Sequence, residues 1–424
     1  LKPNAERVLI VGGGSGNDAA AALRMGARHV DVVDIDRSIV GLGTQYHPEH
    51  PYDQTDRVTV YVDDARHFFH HAKPKSYDVV VFALLDSHRL LSTMSSLRLD
   101  SYVFTTEAFE EARRLLKPDG IQVTVFAIGV DWMESRFYEM LRKVYGDEPL
   151  AVKEIKFDDV KFTPSGIIFV SGPGAAALGL PQTHRPIDEN VVLASDDWPF
   201  VYACGRFIPL EYLGALGVVL LLSYGTMRQT MSRTRKPDLH FFCLGAGFLL
   251  LETKNVTTIA LVFGSTWYVN SIVFFSILVM ALLANVVLIL TDRIRPGWAY
   301  AGLFIALVLN WLLPLRQFAG ASFAVRLVIV GGVTALPVFF SGIIFSQSFK
   351  RTSDPAHAIG SNLLGGVCGG VLEYLSMVMG LRFLFLPLAA LYAIAMLCAP
   401  RQSAAGPILA PVATADAIEV PVEV

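Results

Sequence analysis

The sequence predicts a doubly wound parallel α/β sheet followed by an all-α polytopic transmembrane bundle. Three observations carry that expectation. Residues 8–16 read VLIVGGGSG, a buried strand running into a glycine turn. Strand-like and helix-like stretches then alternate as far as about residue 171, the pattern of a parallel sheet with crossover helices. From Phe207 onward apolar runs recur at about 20 residues each, the length that crosses a bilayer.

The expected strands of the head are 8–11, 29–34, 58–62, 77–83, 121–127 and 166–171. The expected helices are 17–25, 37–44, 64–71, 105–116 and 131–145. Leu116-Lys-Pro-Asp-Gly120 reads as a helix stop, with a basic residue, a proline and a glycine in sequence. A Gly/Ala/Pro-rich loop at 172–186 follows the last strand, and Asp196-Asp-Trp-Pro-Phe200 leads on to the apolar half. The domains are therefore 1–200, 207–400 and a tail, 401–424, whose Ala/Pro/Val-rich composition predicts disorder.

Composition is divided in the same way. The chain has 424 residues, 53% of them hydrophobic, and a mean hydropathy of +0.47, high for a soluble protein. Residues 1–206 carry 22 Lys+Arg against 29 Asp+Glu, a net of −7, and residues 207–424 carry 13 against 9, a net of +4. An acidic head without a basic stripe excludes nucleic acid as a partner. Cys204, Cys243, Cys368 and Cys398 lie in or beside apolar runs without metal-ligand spacing, and read as buried small hydrophobes. The chain opens on Leu1 and enters a strand at once, without a signal peptide, which suggests a piece of a longer protein.

About seven spans are expected: 207–225, 239–263, 269–290, 298–314, 324–346, 359–379 and 381–398. The second contains Glu252 and Lys254 and could be broken. Intramembrane charges are costly and usually paired or functional. Glu252 with Lys254, and Glu373 with Arg382, are the candidate pairs, with His240, Asn270 and Asn362 as polar neighbours. Gly365, Gly366, Gly369 and Gly370 overlay two GxxxG spacings, suited to close helix packing within or between chains. Arg228, Arg233, Arg235, Lys236, Arg293, Arg295, Lys350 and Arg351 fall in loops that full crossing would place opposite the head. The positive-inside rule would then put the head outside. A head using a cytosolic nucleotide belongs inside, which would follow if 207–225, with Pro209 and Glu211, does not fully cross.

The chemistry of the head starts from its glycine turn. Gly12, Gly14 and Gly16 let backbone approach a ligand, and the turn empties into a helix N-terminus, which favours negative charge. Gly12-x-Gly14-x-Gly16 suits an S-adenosylmethionine-type site, while Gly14-x-Gly16-x-x-Ala19 also fits a nicotinamide fingerprint. Asp34, 22 residues past Gly12, ends the second strand, where either ligand would offer ribose hydroxyls. Asp63-Asp64-Ala65 follows the third strand, where an acid can accept from an adenine amino group. This acid, with Leu-Lys-Pro-Asp-Gly before the fifth strand, favours the S-adenosyl class. Each acid could alternatively cap a helix: Asp34 or Asp36 the one at 37–44, Asp63 or Asp64 the one at 64–71. His47, His50, His67, His70 and His71 lack the neighbours of a metal set, and no metal is expected.

Over residues 5–170 the chain resembles the spermidine synthases, the aminopropyltransferases. VLIVGGGSG, VVDID, YVDDARHFF, YDVVVFALLDSHRL and YVFTTEAFEEARRLLKPDG carry the resemblance. Head and tail together, with LHFFCLGAGFLLLETKNVTTIALVFGSTW and GSNLLGGVCGGVLEYL, resemble membrane-bound spermidine synthase-like proteins of bacteria. The resemblance implies a class I methyltransferase-like Rossmann fold. It implies S-adenosylmethionine or its decarboxylated form as donor, bound by Gly12, Gly14, Ser15, Gly16, Asp34, Asp63 and Asp64. It also implies a bacterial inner-membrane location with a cytoplasmic head. Two positions depart from the family pattern. Ser15 stands where the family's GGGDG turn has the acid that holds the donor's amine. Ala83 stands at the first aspartate of the family's D-S-S-D motif, with Asp86 at the second. With a three-residue insertion, Asp86-Ser87 becomes the first pair, followed by His88. Asp86 and His88 are therefore the catalytic candidates. The family's N-terminal β-domain is absent from the sequence. The expected partners are a small-molecule donor, an unidentified acceptor, the lipid bilayer and a second copy of the chain. Methyl transfer, a nucleoside-sensing transporter and an inactive scaffold are the alternatives.

Overall fold

The computed structural model describes residues 2–85, 99–127, 130–155, 166–180, 188, 190–230, 236–264, 267–291 and 294–400. Asp86 and His88 lie outside them. The head contains β1 (Arg7–Val11), α1 (Asn17–Arg24), β2 (His29–Asp34), α2 (Arg37–Tyr46), β3 (Val58–Val62), α3 (Ala65–His71), β4 (Tyr77–Phe82), α4 (Thr106–Leu115), β5 (Leu116–Ala127), α5 (Asp131–Tyr145), β6 (Leu150–Ile155) and β7 (Gly166–Ser171).

Strand order is β3-β2-β1-β4-β5-β7-β6. The first five strands of that order are parallel, whereas β7 runs antiparallel to both β5 and β6. The sheet is thus mixed at one end. β6, reading LAVKEI, has no counterpart among the expected strands. β5 begins five residues early because the Lys-Pro-Asp-Gly stop is absorbed as a register shift between Tyr77 and Val79 on β4. Period-two alternation sorts β1 onto two cores. Leu9 and Val11 join Phe82, Phe109, Phe137 and Phe169 on one face, while Val8 and Ile10 join Val30 and Val32 on the other. Order reverses between β1 and β4, so a crevice opens at the carboxyl ends of these strands.

The second half contains α6 (Leu210–Thr230), α7 (Leu239–Phe263), α8 (Trp267–Leu290) and α9 (Pro296–Leu312). They are followed by α10 (Phe323–Phe349), α11 (Pro355–Met379) and α12 (Arg382–Leu397). Five of these, α6, α7, α8, α10 and α11, are long and apolar enough to cross a membrane. α7 is one unbroken helix. Its Lys254 ammonium lies 3.9 Å from the centre of the Phe385 ring, a cation–π contact rather than a Glu252 pair. Glu373 and Arg382 do not pair either: Glu373 Oε1 is buried without a partner, and the Arg382 amide donates to Asp197 Oδ1 at 2.7 Å. The glycine stripe packs within the chain. A Cβ on Gly365 would fall 1.9 Å from the Phe242 carbonyl oxygen, and one on Gly369 2.2 Å from that of Ala246. Among the cysteines Cys243 is buried, but Cys204 and Cys398 are exposed because they sit where helices and loops end.

The ends of the helices differ in charge. Gly264 after α7, Arg316 before α10 and the turn between α11 and α12 all touch the head. Arg228, Lys236, Arg295, Lys350 and Arg351 lie at the other ends of their helices, about 25–40 Å away at 1.5 Å per residue.

Candidate nucleoside-binding site

Three of the expected ligands share one turn. Gly12, Gly14 and Gly16 have φ of +79°, +52° and +106°, a region costly for residues with a Cβ. A Cβ on Gly14 would meet nothing within 4 Å, so the backbone there faces open space. Gly12 is covered instead: a Cβ there would overlap Leu85. The Gly14 amide donates to Asp34 Oδ2 at 2.7 Å, and the Asp36 amide to Asp34 Oδ1 at 2.9 Å. Asp34 thus ties the end of β2 to the turn after β1. It does not cap α2. Asp36 does so, accepting from the Ser38 amide at 2.8 Å.

Asp64 caps α3, its Oδ1 accepting from the amides of Arg66 and His67 at 2.8 and 3.0 Å. Asp63 pairs with His67 Nδ1 at 2.6 Å and accepts the Asp64 amide. The bundle closes on this corner. A Cβ on Gly264 would stand 2.7 Å from Asp64 Cβ, and Arg326, donating to the Val262 carbonyl at 3.0 Å, lies within electrostatic reach of Asp63. Among the described residues no group of three or more His, Cys, Asp or Glu side chains could hold a metal.

Ser15 is exposed, and its backbone carbonyl abuts Gly43, where a Cβ would fall 2.5 Å from the oxygen. Ala83 is buried, its amide donating to the Val11 carbonyl at 3.1 Å, and its methyl offers no polar group there.

Sequence reasoning missed Tyr52 and placed no role on His47. The Tyr52 hydroxyl lies 2.9 Å from the Gly13 carbonyl oxygen and 3.2 Å from that of Gly14, clamping the turn from below. Burial, with Asp34 and Asp18 nearby, pushes this phenol above its usual range, so it stays a donor. His47 accepts the Glu49 amide on Nδ1 at 3.1 Å, so its Nε2 carries the proton donated to Asn17 Oδ1 at 3.1 Å. Both come from the segment His47-Pro-Glu-His-Pro-Tyr52, whose only sequence signal was its density of prolines and aromatic rings.

A second polar centre joins the head to the bundle. Asp196, fully buried, accepts Arg66 Nη1 and Nη2 at 2.9 and 3.0 Å, Arg316 at 2.7 Å and the Thr105 hydroxyl at 2.6 Å. Burial alone would raise this carboxyl. Arg66 and Arg316 overcome that and hold it below the usual carboxylate range. Trp198, also fully buried, donates from Nε1 to the Met377 carbonyl at 2.7 Å. Arg136 is held by the carbonyls of Val192, Phe200 and Val201 and by the rings of Trp132 and Trp198. Burial brings its pKa down to about 10, still charged at neutral pH. The segment read as a simple lead into the membrane is therefore a packed joint.

The strand order, the glycine turn and the acid at the end of β2 define a class I methyltransferase-like domain. Residues 1–144 match the spermine/spermidine synthase domain family. The chain is 31% identical over 218 residues to a polyamine aminopropyltransferase of Clostridium acetobutylicum, covering 51% of this chain and 62% of that one. It is 32% identical over 156 residues to one of Agathobacter rectalis, covering 36% and 50%. It is 31% identical over 200 residues to spermidine synthase 1 of Pisum sativum, covering 44% and 54%. The chain thus spans between 50% and 62% of the length of these relatives. A solved spermidine synthase in complex with the transition-state analogue AdoDATO aligns over 51% of this chain and 69% of that one, at 16% identity and a TM-score of 0.33.

Proposed function

We propose that the protein is a membrane-anchored transferase that moves an aminopropyl group from decarboxylated S-adenosylmethionine to an amine. The observation that carries the reading is the Asp34-to-Gly14 hydrogen bond, 2.7 Å long, beside open space at Gly14. It holds a carboxylate and a bare backbone at one strand-end crevice, where a ribose and its nucleoside would lie. Gly12, Gly14, Ser15, Gly16, Asp34, Asp63 and Asp64 are the proposed donor site.

In this reaction the acceptor's nitrogen forms a bond to the carbon beside the sulfonium. The carbon–sulfur bond breaks, a neutral thioether leaves, and the nitrogen gives up one proton. Only the free amine is nucleophilic, so a base must take that proton. Ala83 cannot do so. Asp86 and His88 are the proposed acceptors, and Ser15 leaves the donor's amine without a carboxylate partner at that point.

Calorimetry of the full chain in detergent, with both forms of the donor, tests the reading. Preference for the decarboxylated form, with binding of either donor weakened in Asp34→Ala, supports it. Preference for S-adenosylmethionine moves the assignment to methyl transfer. Binding without turnover leaves a sensor, and failure of both donors to bind wild type overturns a donor site altogether.

For location, we propose a bacterial inner membrane with the head in the cytoplasm, where such donors are made. One observation favours the reverse. Arg228, Lys236, Arg295, Lys350 and Arg351 lie at helix ends opposite those that touch the head, the arrangement expected of an outward-facing head. Membrane-impermeant thiol labelling of exposed Cys204 in a Cys398→Ser chain, since Cys398 is also exposed, in right-side-out and inverted vesicles decides between the two.

A further inference from the structure

A cavity of about 820 Å³ opens at the end of the bundle far from the head, between the start of α9, the end of α10 and the residues after α12. Arg295, at the start of α9, and Arg351, at the end of α10, both line it. Neither guanidinium has a carboxylate partner among the described residues.

Two buried polar groups on the lining are left incomplete. Tyr300 is 3% exposed, yet its hydroxyl has no hydrogen-bond partner. Gln347 donates from Nε2 to the Ile294 carbonyl at 3.0 Å, while its buried Oε1 has none. A buried polar atom without a partner is costly to keep. Ser348, whose hydroxyl lies 2.8 Å from His240 Nε2, also lines the cavity. Ile344, Ala301 and Pro400 give it apolar wall, and Trp298 is 74% exposed at its rim. An exposed tryptophan at a helix end is a common mark of the membrane–water interface.

We propose that this cavity binds the headgroup of an anionic lipid, a phosphodiester that also carries hydroxyl groups. Arg295 and Arg351 take the phosphate oxygens, the Tyr300 hydroxyl donates to one of them, and Gln347 Oε1 accepts a headgroup hydroxyl. The donors and the acceptor are thus both answered by one molecule, and the interfacial Trp298 at the rim favours a lipid over free phosphate as its source. Basic pockets between helices are suited to such headgroups. The inference is independent of the chemistry assigned to the head.

The test is native mass spectrometry and thermal shift of the full chain in neutral detergent, with phosphatidylglycerol, phosphatidylcholine and inorganic phosphate as separate probes. Phosphatidylglycerol should be retained at least tenfold better than phosphatidylcholine and should raise Tm. The Arg295→Gln/Arg351→Gln double variant should lose that preference while keeping its lipid-free Tm. Tyr300→Phe should leave the lipid-free Tm equal or higher and still weaken phosphatidylglycerol binding, a result that holds if the double variant does not fold. Equal binding of the two lipids, or wild-type binding by both variants, overturns the proposal. Inorganic phosphate that displaces phosphatidylglycerol at equal concentration overturns the lipid assignment in favour of a free-phosphate site.

Discussion

The glycine turn and the head–bundle joint are both polar centres built on the same head, but they are finished differently. At the joint Asp196 has no exposure and accepts from two guanidiniums and a hydroxyl, and Trp198 is equally buried. At the turn Asp34 holds two backbone amides while the backbone of Gly14 faces open space. A buried network in which a carboxylate meets several donors rigidifies, whereas the open backbone at the turn is the place proposed for the donor. The difference separates residues that hold the molecule together from those proposed to bind the donor.

The largest expected effect comes from cutting the joint. Asp196→Ala removes the carboxylate that Arg66 and Arg316 share. Arg66 keeps Glu111 at 2.7 Å and Arg316 is half exposed, so the loss is about 1.5–3 kcal/mol, the worth of hydrogen bonds to a charged group. Thermal unfolding of the detergent-solubilised chain should show a fall of several degrees, and an unchanged Tm would remove the contrast. Next is its acid sensitivity. Asp196 titrates below its usual range in the folded chain. Its contribution is therefore complete above the ordinary carboxylate pKa, about 4, and lost as pH falls through the lower folded value. Tm measured from pH 6 down to pH 3 should drop more steeply in wild type than in Asp196→Asn.

The turn should respond in the opposite sense, with small stability changes and large binding changes. Asp34→Asn should weaken donor binding about 10- to 100-fold, the worth of a hydrogen bond to a charged group. Gly14→Ala strains a left-handed residue by about 1–2 kcal/mol, yet its methyl enters the space proposed for the donor, so calorimetry should find binding reduced beyond what the Tm change implies. Last is Tyr52→Phe. It bares the Gly13 carbonyl and should cost about 0.5–1.5 kcal/mol, with donor affinity falling only as far as the turn loosens.

Most of the head was legible because its signals are local. VLIVGGGSG, VVDID and VTVYVDDA announce strand, turn and acid within a few residues, and the expected strands and helices fall within about two residues of those observed, except at β5 and β6. β6 was missed because LAVKEI alternates charge with apolar residues at a sheet edge, and its antiparallel pairing with β7 leaves no crossover helix to mark it. The joint was illegible for another reason. Arg66 and Asp196 are 130 residues apart, and nothing in either neighbourhood names the other. Lys254 likewise looked like a helix breaker because its partner is the Phe385 ring on another helix. The proposed acid–base residues Asp86 and His88 rest on sequence reading alone.

The joint also redraws where this chain can be divided. A composition boundary near residue 200 invites a shortened head for separate expression. Arg136, however, takes its backbone acceptors from Val192, Phe200 and Val201, and the Asp196 backbone amide donates to Glu107 Oε2 at 2.9 Å. A piece ending before residue 192 would bare a permanent cation in the core. One ending at Arg206 would keep those bonds but expose Trp198, stripped of Met377. The protein is two compositions sharing one hinge pin, and grafting this head onto another bundle would require the 377–382 turn and Arg316 to travel with it.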